Sequence, residues 1–564
     1  MKRLFEHVRR VLTPVAGAAL AAGLLLPAQP AQAASQLTSF DADFTLTRVS
    51  GGNEALIESA EAAGVAKASV TEVLDSHTGK PHLCHGTGLN GALAYDGFCW
   101  DDIDDLSGYT DTDKVPEGGW MPQGFTGSHA AYAGGLYEGR HLYVASWYFG
   151  KFADGKPNEQ YTRISIVQST GDQVTYGHVA LVEPTLGNFR ELSYQSHADG
   201  IAWYGDRLFV ANGVELQVYD LRHLWRMDDT SSAATGLIGG RASARYHRWA
   251  LPLLARYTTK PGAVADTDPQ PFGAGVRTCG PAKNVVCLSS LSVDRSTSSL
   301  VSAENIGTNS GARIVRWPLA QLGTQLPAKV TSASRGYYAD PVLNVQGVAT
   351  DGTHFYLSGD CPASWHAGYS CVHVAAEGEA THVLTQAPWL TQNLSWDPNA
   401  GRLWGLNEAL EDKDVGGKRV VFSLNPSAGA AVDGWGWMSN FTKPGFTCAT
   451  PKGDGTANGT IVTVWHCIGS ESQRWAFKDG RLVHKASGKC LTPQADAEDT
   501  NGAVLTLWTC NGNASQLFKQ DGGAVTNRLG KAVTPKGDSL NDGTYLTLWS
   551  KTGNDSQEWR VKGF

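Results

Sequence analysis

The sequence predicts an all-β chain, and three observations carry that expectation. It holds 65 Gly with 18 Trp and 18 Tyr in 564 residues, and Gly-rich turns between aromatic strands are the composition of sheet proteins. The stretch from Thr447 to Phe564 repeats itself three times. A looser repeat of five hairpins runs from Met121 to Asn425. Two successive bodies of sheet are therefore expected, since 564 residues exceed an ordinary single domain. A composition of 41% hydrophobic and 18% charged residues suits a sizeable core. A net charge of −8 with no Lys/Arg block argues against a nucleic-acid partner.

Residues 1–33 read as a secretory signal. Lys2, Arg3, Arg9 and Arg10 form a charged start, Val11 to Leu26 is apolar, and Ala31-Gln32-Ala33 is an A-x-A site. The apolar run is short for a membrane span, and no second long run follows. A secreted, extracellular protein is expected.

Residues 34–120 are expected to be an N-terminal extension. Apolar residues at helical spacing predict one helix over 54–74 with Asn53 as its N-cap, packing on the next domain. Asp101, Asp102, Asp104, Asp105, Asp111 and Asp113 follow. Carboxylates in such numbers suit Ca2+, although the spacing fits no EF-hand loop. A solvated acidic turn is the other reading.

Residues 121–426 alternate apolar strands with Gly, Asp and Asn turns. The second strand of each hairpin centres on Tyr143, Phe209, Val301, Tyr356 and Trp404, at spacings of 48 to 92 residues. The pattern resembles a β-propeller, with five blades. A β-sandwich array or a β-helix would also carry it. In a propeller the first strands would line the axis and bring together Gln123, His197, Asp199, Ser290, Gln346 and Asn393, while the second strands would end in Asn212, Glu304, Asp360 and Glu408. These polar groups read either as a hydrogen-bonded closed ring or as a sugar or metal site. Glycoside cleavage needs two carboxyl groups, so Asp199, Glu304, Asp360 and Glu408 are the catalytic candidates. Ser196-His197-Ala198-Asp199 is too compact in sequence to be read as a triad. His129, His141 and His247 read as structural. Residues 427–440, small and Gly-rich before Trp435 and Trp437, read as a linker.

Residues 441–564 carry the exact repeat. Its copies contain TCATPKGD, VTVWHC and SQRW; KCLTPQAD, LTLWTC and SQLF; KAVTPKGD, LTLWSK and SQEW. Gln473, Gln516 and Gln557 are 43 and 41 residues apart, and Trp475, Phe518 and Trp559 follow them by two. Three units of about 40 residues ending in Q-x-W resemble the ricin B-type lectin domain, a β-trefoil. The resemblance implies that the Q-x-W aromatics fill a shared core. It also implies a sugar pocket built from an aromatic platform, a Gln and an Asp. Trp465, Trp508 and Trp549 are the platforms, since an indole face suits the C–H face of a pyranose. Gln473, Gln516 and Gln557 are the corresponding amides. The family's Asp is replaced by Thr450, Thr492 and Thr534. Asp454, Asp496 and Asp538, four residues later, either take over as acceptors or are ordinary turn aspartates.

The ten cysteines fall as neighbours: Cys84/Cys99, Cys279/Cys287, Cys361/Cys371, Cys448/Cys467 and Cys490/Cys510. An even count in an exported chain argues for five local disulfides. The last two match the bridges of the trefoil family, and the third unit has Ala532 and Lys551 in their place.

Three functions follow. The first is a secreted carbohydrate-binding protein docking on a polysaccharide or cell-surface glycan. The second is a secreted glycoside hydrolase or polysaccharide lyase with an accessory trefoil. The third is the recognition subunit of a toxin or adhesion assembly, with a protein partner.

Overall fold

The structure, a computed structural model, describes residues 36–49, 51–75, 97–100, 104, 119–149, 161–170, 173–193, 196–260, 279–340, 342–362, 370–388, 390–408, 419–426, 436–440, 447–467, 470–521 and 523–562. The expected leader and Cys84, and with it the Cys84/Cys99 bridge, lie outside them. The chain is all-β, as its composition predicts.

The body consists of five antiparallel meanders. The first is Trp120–Gly127, Leu142–Phe149, Thr162–Thr170 and Gln173–Thr185. The second is Gly200–Tyr204, Arg207–Asn212, Glu215–Asp220 and Trp249–Thr258. The third is Ser290–Asp294, Ser299–Ala303, Arg313–Pro318 and Arg335–Tyr338, extended by Thr38–Asp41. The fourth is Gly347–Thr350, Phe355–Asp360, Ser370–Ala375 and His382–Ala387. The fifth is Thr391–Asp397, Arg402–Asn407 and Val420–Leu424, completed by Gly97–Cys99 from before the first meander. The first strands of the five touch in a closed cycle. This is a five-bladed propeller, with all five predicted hairpins as its inner pairs.

The inner strands meet closely because three of them carry Gly at the crossing. A Cβ on Gly124 would lie 2.6 Å from the Ile201 nitrogen, and one on Gly200 would lie 2.5 Å from the Leu291 nitrogen. On Gly347 it would lie 2.4 Å from the Gln392 oxygen. Asn393 fills the centre. Its Nδ2 donates to the carbonyls of Phe125 (2.9 Å), Leu291 (2.9 Å) and Ile201 (3.3 Å), and its Oδ1 accepts from the Leu291 amide at 3.1 Å. Asn393, expected among groups converging on a ligand, instead closes the axis.

The segment expected as an extension is woven into the body. Besides the strands given above, Thr45–Arg48 pairs with both Trp249–Thr258 and Lys329–Thr331. The single helix over 54–74 is corrected to two, α1 (Glu54–Ala62) and α2 (Val70–Asp75). Gly64, at φ +115°, lies just beyond the first, and Ala66–Lys67 then pairs with Trp225–Arg226. Asn53 stands at the N-cap, but its side-chain amide donates to the Leu253 carbonyl. Ile57, Ala60, Val70, Val73 and Leu74 bury the inner faces of the helices against the body, as expected.

The Asp104 carboxylate is engaged by protein donors. It accepts from Arg163 (2.5 Å), Tyr176 (2.8 Å) and His178 (2.9 Å), and the Asp104 carbonyl accepts from Arg419. Arg163 in turn lies over the rings of Trp120 and Trp147. Burial alone would raise the Asp104 carboxyl, but His178 and Arg163 beside it hold it well below the usual carboxylate range. The other five aspartates of that run lie outside the described residues. Among the described residues, no group of three or more His, Cys, Asp or Glu could hold a metal.

The C-terminal body has twelve strands in three lobes of four. They run Gly436–Asn440, Thr447–Pro451, Val462–His466 and Arg474–Lys478; then Arg481–His484, Cys490–Pro493, Leu505–Trp508 and Phe518–Asp521; then Ala524–Asn527, Lys531–Pro535, Leu546–Ser550 and Trp559–Lys562. The last strand pairs with the first, which closes the set. Trp475, Phe518 and Trp559 are buried together in its core. The expected linker is shortened at its C-terminal end, because Gly436–Asn440 is the opening strand of this body with Trp437 buried in it. Four of the expected disulfides are formed: Cys279–Cys287, Cys361–Cys371, Cys448–Cys467 and Cys490–Cys510. In the third lobe Lys551 makes an ion pair with Asp521 instead.

Two outcomes test this account. Asn393→Ala removes two amide hydrogens shared by three buried carbonyls and the acceptor of the Leu291 amide, at about 1–3 kcal/mol per lost bond, so urea unfolding should show a loss of at least ~3 kcal/mol. Asp104→Asn breaks a buried ion pair, worth about 3–5 kcal/mol at neutral pH. The folded carboxyl is depressed, so its stabilisation is present above the unfolded pKa of about 4 and fades below it. The stability gap between wild type and variant should therefore be widest near neutrality and shrink as pH falls below about 4.

Candidate functional site

The three lobes of the C-terminal body repeat one hydrogen-bonding scheme. Gln473, Gln516 and Gln557 are buried, and each Nε2 donates to the hydroxyl of Thr450, Thr492 or Thr534 at 2.9–3.1 Å. Each also donates to the carbonyl of His466, Thr509 or Ser550. Both amide hydrogens are thus engaged within the lobe. The Nε2 groups of these expected sugar-site amides therefore brace the lobe. The Thr that replaces the family's Asp has the same task, since each hydroxyl also donates to the carbonyl two residues back.

The platforms stand differently. Trp465, Trp508 and Trp549 are 40%, 43% and 45% exposed, among the few large apolar side chains open to water. Each sits at the end of a strand whose preceding apolar residues enter the core, so the alternation of the strand turns one indole outward. Asp454, Asp496 and Asp538 are exposed on left-handed turns, with φ between 53° and 56°. Ser472, Ser515 and Ser556 donate to their carboxylates, holding each acid in one orientation. These aspartates are therefore turn residues with an anchored carboxylate. In the third lobe the indole and the acid line one cavity of about 240 Å³, with Thr534, Lys536, Asn554 and Gln557 on its wall.

The body gathers a second set of polar groups where its inner strands begin. His197 Nδ1 lies 2.7 Å from Asp199 Oδ1, and Asp199 Oδ2 accepts from the Gly213 amide. The ring of Tyr148 packs on His197, with centroids 3.9 Å apart. Tyr148 donates to Glu408 Oε1 at 3.1 Å, and Gln392 donates to Glu408 Oε2 at 2.9 Å. Two of the four candidate carboxylates, Asp199 and Glu408, are thereby linked through one Tyr–His stack. Sequence reasoning passed over Tyr148 and Gln392. The signal for Tyr148 was its position late in a second strand, next to the ends that carry Asn212, Asp360 and Glu408 in other blades.

Glu304 and Asp360 are not in that set of contacts. Glu304 is 0% exposed and held by both arms of Arg313 at 2.7 Å and by the Cys287 amide. It is corrected from catalytic candidate to structural anchor. Asp360 accepts from Asn344 at 2.6 Å. His129 is buried and His247 half-buried, and desolvation lowers them to about 4 and about 3, so both are neutral at physiological pH. Ser165, His178 and Asp104 form a hydrogen-bonded row, at 2.8 and 2.9 Å, in the order of a hydrolytic triad. Ser165 is fully buried and accepts from the Trp147 indole, so this row belongs to the buried hydrogen-bond cluster around Asp104.

A curated protein, the probable lipoprotein EnvE of Salmonella typhimurium LT2, is 38% identical over 47 residues, 8% of this chain and 27% of that protein. The match thus spans about a quarter of that relative's length. Among solved structures, the C-half of the earthworm R-type lectin in complex with GalNAc is 10% identical, over 23% of this chain and 98% of that one, with a TM-score of 0.20. A GH43 β-1,3-galactosidase is 11% identical, over 76% and 89%, with a TM-score of 0.33. An exo-β-1,3-galactanase from Clostridium thermocellum is 12% identical, over 75% and 94%, with a TM-score of 0.26. Residues 438–559 match the family described as the ricin-type β-trefoil lectin domain.

Proposed function

We propose that this is a secreted carbohydrate-binding protein whose trefoil docks it on a polysaccharide or cell-surface glycan. The observation that carries the reading is the set of three equivalent indoles left open to solvent, each on a lobe that also exposes an anchored carboxylate. Stacking supplies the apolar contact, and the carboxylate accepts from sugar hydroxyls. Three such sites on one rigid module raise apparent affinity for a repeating polymer through multivalency. An address outside the cell is supported by four disulfides. Among the described residues, no helix is long and apolar enough to cross a membrane.

A hydrolytic body is the second reading, favoured by Asp199 and Glu408 joined through His197 and Tyr148. Reducing-end release from a polysaccharide, abolished by Asp199→Asn or Glu408→Gln, would move the assignment to an enzyme. Co-purification with a large protein would move it to an assembly subunit.

Two outcomes are expected on immobilised polysaccharides and a glycan array. Each single Trp→Ala at 465, 508 or 549 should weaken retention, and the triple variant should lose about 10²–10⁴-fold in avidity. Asp538→Ala, in the lobe with the cavity, should reduce binding more than Asp454→Ala or Asp496→Ala. Full binding by the triple aspartate variant would reduce those residues to turn formers.

A further inference from the structure

The body contains buried polar groups that its own fold leaves without partners. Gln123 is 2% exposed, and its Nε2 has no hydrogen-bond partner among the described residues. The same holds for the hydroxyl of Ser290, which is fully buried. An unpaired buried polar group is destabilising, so two of them at one place call for an occupant.

They are at one place. Gln123 is the extra residue of a bulge, between the pairs Pro122–Trp147 and Gly124–Ser146. Bulges re-aim a side chain out of the strand alternation and recur beside functional sites. The Gly124 amide donates to Ser146 Oγ, which donates to the Ala198 carbonyl. That chain ties the bulge to the turn holding His197 and Asp199. Ala198 itself is at φ +54°, a strained setting for a residue with a Cβ. Ser290 adjoins Gly200, the residue after Asp199: a Cβ on Gly200 would lie 2.7 Å from the Ser290 Cα. Tyr148, in the strand beside the bulge, brings in Glu408.

We propose that this end of the propeller axis, above the Asn393 plug, is a second saccharide site, separate from the trefoil. The groups match a ring of vicinal hydroxyls, each of which donates and accepts at once. Asp199 and Glu408 accept, since a carboxylate oxygen takes more than one hydrogen bond. Gln123 Nε2 donates, and Ser290 does either. Two carboxylates within the set disfavour an anionic ligand. The site does not depend on the trefoil reading, because it shares no residue with it.

The test uses the full chain carrying Trp465→Ala, Trp508→Ala and Trp549→Ala, which removes the platforms. It is titrated with methyl β-D-galactopyranoside, methyl β-D-glucopyranoside and methyl α-L-arabinofuranoside, and followed by calorimetry and saturation-transfer NMR. Binding of at least one glycoside is expected, weakened about tenfold or more by Asp199→Asn and by Gln123→Ala, and several-fold by Tyr148→Phe. Adding Asp538→Ala should leave it unchanged. Tyr148→Phe and Asp199→Asn keep side-chain volume, so they answer the question if Gln123→Ala does not fold. The proposal is overturned if none of the three glycosides binds, or if binding survives Asp199→Asn and Tyr148→Phe undiminished. Loss of polymer retention in the triple Trp variant reports on the trefoil alone.

Discussion

One amide side chain sets the geometry of the body. Asn393 reaches three strands from three other blades, and its hydrogen bonds hold their carbonyls at one level on the axis. Such closeness tolerates no Cβ at Gly124, Gly200 or Gly347, where the obstacle would be backbone. Because the axis is stopped at that level, the residues just before it cannot point into a channel. They gather at one end, and this is why Gln123, His197 and Asp199 become neighbours of Tyr148 and Glu408. A packing constraint thus creates the polar concentration.

The trefoil follows a different logic. Its threefold scheme places Gln and Thr inside and Trp and Asp outside, in every lobe. Thr450, Thr492 and Thr534 give each buried Gln a neutral partner that both accepts and donates. The acidic group is then found four residues on, fixed by a Ser beyond the following strand. Rigidity rests on the buried Gln and Thr, so the exposed Trp and Asp can vary while the lobe keeps its form.

Much of this was legible because it is local. Strand alternation, Gly/Asp turns and a period near 40 residues are written in short windows, and they gave the five inner hairpins and the three lobes. The four disulfides join cysteines at most 20 residues apart. The remainder depends on partners that no window contains. Asp104 is claimed by residues 59 to 315 positions away, so it read as one acid among six. Glu304 looked free because nothing in a strand pattern announces Arg313 across the hairpin. The helix over 54–74 was broken by a Gly with positive φ and by a two-residue strand whose mate lies at Trp225–Arg226. Gly436–Asn440 read as linker because its ladder partners include the last strand of the chain.

The outer strand of the fifth blade, Gly97–Cys99, is made before the first blade, yet its mate begins at Val420. Synthesis therefore delivers an orphan strand early and its acceptor 321 residues later. Closing so long a loop carries an entropic delay, and non-local pairing of this kind folds slowly. Until the clasp forms, the nascent body presents an open sheet edge, the surface that invites pairing with other chains.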